Sequence, residues 1–153
     1  MLRIGLWEPE IPPNTGNIAR LCAATGCSLH LVGRLGFRLD EKSLRRAGLD
    51  YWDAVELFCH DTLADLESLL KEQGANLHCL SARAERRYTQ IPFRHGDCLL
   101  FGAETRGLPP EVLERYRLQS YTIPMPSGKV RSLNLATAAG IVAYEGLHQL
   151  HGW

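Results

Sequence analysis

Short apolar runs alternate along the chain with segments whose apolar residues recur every three or four positions. The runs RIGLW (3–7), LHLVG (29–33), AVELF (54–58), NLHCLS (76–81), CLLFG (98–102) and YTIPM (121–125) read as strands. Between them, GNIARLCAATG (16–26) places Ile18, Leu21, Cys22 and Thr25 on one helical face and stops at Gly26. EKSLRRAG (41–48) predicts a short helix. DTLADLESLLKEQG (61–74) predicts a longer one, capped by Asp61 or Thr62, with Leu63, Leu66, Leu69 and Leu70 inward and Gly74 at its end. PPEVLERY (109–116) carries proline in its first helical turn, and LNLATAAGIVAYEGLHQL (133–150) predicts a long closing helix. This alternation predicts an α/β fold, a mostly parallel sheet flanked by helices. Ligands in such sheets bind beyond the carboxyl ends of strands. Three strand ends are therefore candidates: Leu80-Ser81, Gly102 and Ile123-Pro124-Met125.

Composition narrows the class. The 153 residues suit one domain with a core of its own, and no repeat or low-complexity tract interrupts them. Apolar residues make up 45% and charged residues 22%, as in ordinary globular proteins, and no apolar run approaches the ~20 residues of a membrane span. MLRIGLWEPE lacks the layout of a signal peptide, so a cytoplasmic protein is expected. Five cysteines without a CxxC argue against a disulfide framework or structural zinc; Cys22, Cys79 and Cys98 read as buried apolar residues. Net charge is zero, yet 34–48 and 83–87 are locally basic: solvated faces or contact patches.

Three stretches carry chemistry. In PEIPPNTGNIAR (9–20), Pro12 and Pro13 stiffen the approach and Asn14 or Thr15 is placed to cap a helix. Asn17 and Arg20 share a face away from the apolar stripe, which suits a phosphate or ribose, or an ordinary solvated helix surface. In LLFGAETRGLPPEV (99–112), Gly102 and Gly107 permit close backbone passage, and Glu104 is an acceptor for a hydroxyl or amine, or a helix cap. In IPMPSGKVRSLNLATAAGIVAYE (123–145), Ser132 and Asn134 stand before a helix whose small residues allow close packing.

Together NTGNIARLCAATG, FGAETRGLP and IPM…VRSLNLATAAGIVAYE resemble the three motifs of the SPOUT methyltransferases, in the branch that methylates ribose 2′-hydroxyls of RNA. Asn14, Gly16, Asn17 and Arg20 match the first motif; Gly102, Glu104, Gly107 and Leu108 the second; Pro124, Arg131, Ser132, Leu133 and Asn134 the third. The resemblance covers almost the whole chain and implies one domain over 1–153 with no appended RNA-binding domain. With EPEIPPNTGNIARL and RRAGLDYW, it extends to the minimal bacterial members that act on the wobble nucleotide of tRNA.

The resemblance implies a C-terminal deep trefoil knot (the SPOUT, or α/β-knot, fold), a homodimer with sites at the subunit interface, and no metal. The cofactor it implies is S-adenosyl-L-methionine, held by Leu80, Gly102, Glu104, Gly107, Ile123, Met125, Ser132 and Leu133. The catalytic residues it implies are Arg20, supplied across the dimer, with Asn14, Ser132 and Asn134. Asn17, Arg20, Arg86 and Arg87 would face the RNA, an anticodon stem-loop, with Arg83 and Arg34 as further contacts. The implied reaction is methylation of the ribose 2′-hydroxyl of C34 or U34, leucine isoacceptors being the expected tRNAs. Alternative readings are a 2′-O-methyltransferase for another tRNA position or for ribosomal RNA, and a non-catalytic RNA- or nucleotide-binding dimer.

Overall fold

The computed structural model describes residues 1–40, 42 and 52–153. The helix expected over 41–48 falls almost wholly outside them. The strands are β1 (Arg3–Trp7), β2 (Ser28–Val32), β3 (Leu57–His60), β4 (Leu77–Leu80), β5 (Arg86–Arg87), β6 (Cys98–Phe101) and β7 (Ser120–Thr122). The α-helices are α1 (Pro12–Thr25), α2 (Leu63–Glu72), α3 (Pro110–Arg115) and α4 (Leu135–His151).

The seven strands form one sheet in the order β3-β2-β1-β6-β4-β7-β5, and each pairing is parallel. β6 lies at its centre, and beside it β1 places Ile4 level with Leu29 on one side and Leu99 on the other. Every residue of β2, β4 and β6 is buried, as expected of strands covered on both faces. Alternation along each strand divides the core in two. Ile4, Leu6, Leu99 and Phe101 meet Ile18 and Cys22 of α1 and Val142 and Leu147 of α4. Cys98 and Leu100 meet Leu66 and Leu70 of α2 and Val112 of α3 on the other face.

Several expectations shift at element ends. The predicted strand 54–58 is displaced: Trp52–Ala54 winds into a 3₁₀ turn, and pairing with β2 begins at Leu57. α1 starts at Pro12 rather than Gly16, because Pro12 and Pro13 fill its first turn, where a missing N–H costs nothing. Its cap is Ile11, so neither Asn14 nor Thr15 has that role. β7 stops at Thr122, before Pro124, which cannot donate to a ladder. The two-residue β5 has no apolar pattern and was not expected. Asn134 caps α4, its Oδ1 accepting from the Ala136 and Thr137 N–H groups at 2.9 and 3.2 Å. Among the described residues, no helix is long and apolar enough to cross a membrane.

Candidate active site

The three predicted stretches converge beyond the carboxyl ends of β4, β6 and β7. There the chain encloses an open cavity of about 750 Å³, within the usual ~300–1,000 Å³ of a small-molecule site. After β6 the backbone turns tightly through 102–108. The Gly107 N–H donates to the Ala103 carbonyl at 2.7 Å, and Gly107 adopts a left-handed φ of 68°. The returning strand of this turn crosses directly over Gly102. A Cβ at Gly102 would lie 2.2 Å from both the Gly107 carbonyl carbon and the Leu108 nitrogen, so only glycine fits.

The turn is joined to the segment before α1 by reciprocal contacts. The Glu104 carboxylate accepts from the Glu10 N–H at 3.0 Å and the Ile11 N–H at 2.5 Å. In return, Glu10 accepts from the Thr105 N–H at 3.0 Å and its hydroxyl at 2.7 Å. The Thr105 N–H, then its hydroxyl, hold the Glu10 carboxyl below the ordinary glutamate range. Arg106 completes the join, pairing with Glu8 at 3.1 Å and lying 5.4 Å over the Trp7 ring. Glu8 itself takes an unusual left-handed φ of 46°.

A hydrogen-bonded chain runs on to the third stretch. Asn14 Nδ2 reaches Glu104 Oε2 at 3.5 Å, and Asn134 Nδ2 donates to Asn14 Oδ1 at 3.0 Å. The amide of Asn14 is thus directed at protein groups, and its residue is buried. Asn14 and Asn134 hold the three stretches in register. Glu104, expected to meet a ligand or cap a helix, anchors the α1 entry while it lines the cavity.

All eight residues expected to hold a cofactor line this cavity: Leu80, Gly102, Glu104, Gly107, Ile123, Met125, Ser132 and Leu133. Asn14 and Asn134 line it as well. Asn17 and Arg20 are exposed on α1 and stand outside the lining, as do Arg86 and Arg87. Arg86 donates to the Leu118 carbonyl at 2.5 Å and lies 5.3 Å over the Tyr121 ring. Sequence reasoning missed Glu10, Thr105 and Arg106; the acidic pair in EPE, just ahead of two prolines, was the available signal. Among the described residues, three arginines, Arg83, Arg106 and Arg131, and one acid, Glu104, line the cavity, a positive balance in a chain of zero net charge. Among the described residues, no three His, Cys, Asp or Glu side chains gather as a metal site.

Comparison with known proteins adds to this geometry. The sequence matches the SpoU rRNA Methylase family over residues 1–144. The tRNA (cytidine(34)-2'-O)-methyltransferase of Yersinia pestis is 47% identical over 154 residues, covering 98% of this chain and 94% of the relative. The Escherichia coli K12 protein of the same name is 45% identical over 152 residues, with 98% and 94% covered. A solved structure described as giving insights into the 2-OH methylation of C/U34 on tRNA superimposes with a TM-score of 0.92 at 52% identity, covering 100% of this chain and 98% of that one. An AdoMet-bound rRNA methyltransferase from Sinorhizobium meliloti superimposes with a TM-score of 0.82 at 27% identity, over 97% of this chain and 56% of that one.

Proposed function

This chain belongs to the SpoU rRNA methylase family, and we propose that it methylates the ribose 2′-hydroxyl of the wobble nucleotide, C34 or U34, of tRNA. It is an S-adenosylmethionine-dependent tRNA (cytidine/uridine-34)-2′-O-methyltransferase. The observation that carries this reading is the convergence of all three motifs on one cavity, in a chain 45–47% identical over nearly its full length to enzymes named for that reaction.

The residues present fit the cofactor. The turn brings Gly102 and Gly107 to the cavity lining, and Leu80, Ile123, Met125 and Leu133 supply apolar walls for a purine. Bound there, S-adenosylmethionine supplies an electrophilic sulfonium methyl. The protein must hold the ribose oxygen in line and stabilise the charge that develops on it. Ser132, exposed at the cavity beside α4, is placed to orient the ribose. A guanidinium stays protonated at all working pH values, so Arg20 acts as a donor to the neighbouring phosphate and the incipient alkoxide rather than as a base.

Arg20 is exposed and outside the cavity of its own chain, which supports its delivery by a second copy in a homodimer. The sheet order, with β7 between β4 and β5, and the tight passage at Gly102 support the trefoil knot typical of SPOUT folds. The anticodon stem-loop is the part of tRNA bound. Five unpaired cysteines, four of them buried, agree with a cytoplasmic enzyme. Leucine isoacceptors are the first tRNAs to test. Incubation with labelled S-adenosylmethionine and an unmodified leucine tRNA transcript, followed by nucleoside digestion, is expected to yield 2′-O-methylcytidine or 2′-O-methyluridine. Label in a methylated base would overturn the reading.

A further inference from the structure

On the reading that this cavity methylates a tRNA ribose, we infer that Arg83 and Arg131 clamp the phosphates on either side of the target nucleotide. The cations at and near the cavity differ in whether the protein already engages them. Arg106 is engaged by Glu8 and by the Trp7 ring, and the nearby Arg86 by the Leu118 carbonyl and the Tyr121 ring. Arg115 is likewise paired with Glu67. Arg83 and Arg131 line the cavity, are exposed, and make no side-chain hydrogen bond or ion pair among the described residues.

They come from different loops. Arg83 lies between β4 and β5, where its own N–H is fixed by Ser81 Oγ at 3.1 Å. Arg131 lies between β7 and α4, directly before Ser132. The acids near the cavity do not neutralise them. Glu104 faces the Glu10 and Ile11 amides, and Glu10 faces Thr105. The positive surplus of the cavity therefore rests on these two side chains.

A ribose within RNA is flanked by a phosphate on each side, and its position is fixed only if both are held. Phosphate contacts position a nucleic acid without reading its sequence. Two free guanidinia from separate loops lining one cavity match that requirement, whereas Arg86 is held by its own chain.

The test measures the dissociation constant for an unmodified leucine tRNA transcript between 50 and 200 mM salt. The proteins are the full-length wild type, Arg83→Ala, Arg131→Ala, Arg131→Lys and Arg115→Ala; S-adenosylmethionine affinity is measured by calorimetry in parallel. Each loss of a phosphate contact is expected to weaken tRNA binding about tenfold at the lowest salt and to reduce the salt slope by about one. Arg83→Ala and Arg131→Ala should each show this with unchanged cofactor affinity. Arg131→Lys should restore most of the slope, and Arg115→Ala, at an arginine outside the cavity lining, should leave it unchanged. Wild-type slopes in both alanine variants would overturn the assignment, as would an equal loss of cofactor affinity. If the wild type itself showed no salt-dependent tRNA affinity, the tRNA reading would fall along with it.

Discussion

At Gly102 one methyl group decides whether the turn that lines the cavity can close. The atoms a Cβ would strike are backbone, at 2.2 Å, and cannot swing aside. Gly102→Ala is expected to cost about 1–3 kcal/mol of stability, and S-adenosylmethionine affinity should fall by at least about tenfold in a calorimetric titration. Unchanged affinity would mean the turn gives way freely. Asn134 has two separable roles. Its Oδ1 caps α4 and its Nδ2 holds Asn14. Asn134→Asp keeps the cap and adds a favourable charge at a helix start, but loses the donor. It should melt near the wild-type temperature while kcat/KM for tRNA falls at least about tenfold, as befits a positioning contact. Asn134→Ala should lose both, with about 1 kcal/mol of stability. Equal activity in Asn134→Asp and wild type would remove Asn14 from the account. At this scale the sequence named the cavity residues well, because glycines and small polar groups at strand ends have few other uses. It did not reveal what Glu104 and Asn14 touch, since their partners lie about ninety or more residues away and no local spacing encodes them.

Elements were legible where a local rule determines them. α2 follows the expected pattern: Thr62 Oγ1 accepts from the Asp65 N–H at 3.3 Å, and Asp65 Oδ2 accepts from the Thr62 N–H at 3.0 Å, a reciprocal cap. Thr62→Ala should lower stability by about 1 kcal/mol in urea unfolding and leave methyl transfer unchanged, because α2 lies on the face away from α1 and α4. A loss of activity larger than the loss of folded protein would contradict that separation. Elements were misread where tertiary pairing overrides local pattern. β3 begins three residues later than AVELF suggested because pairing starts only where Leu57 meets Leu29. β5 is two exposed arginines, a strand only because β7 pairs with it. The early start of α1 was available in the proline pair, which is as compatible with a first turn as with a stiff approach.

For the whole molecule, the alternation of apolar runs was enough to predict a parallel sheet between helices, since both faces must be covered. It carried no information about strand order, which depends on crossovers. The folded sheet also sets an acid limit. His30 is wholly buried in β2, bonded to His60 at 2.9 Å and Ser28 at 3.0 Å. Burial, then the His60 and Arg3 charges, push its pKa down to about 3. Below about pH 6.5 the unfolded chain binds a proton there that the folded chain does not. Stability is therefore complete above that pH and falls by about 1.4 kcal/mol per unit as pH drops toward 3. Urea unfolding at pH 7 and pH 5 should show this fall, and His30→Gln should flatten it; the same slope in both proteins would assign it to other groups. The central claim is that one ribose, at position 34, receives the methyl group. It is tested most directly by methyl uptake into anticodon stem-loop RNA carrying a single 2′-deoxy nucleotide, placed either at position 34 or at a neighbouring position. The account predicts that uptake is abolished by the deoxy sugar at position 34 and survives it elsewhere. Uptake that persists with a deoxy sugar at position 34 would contradict it.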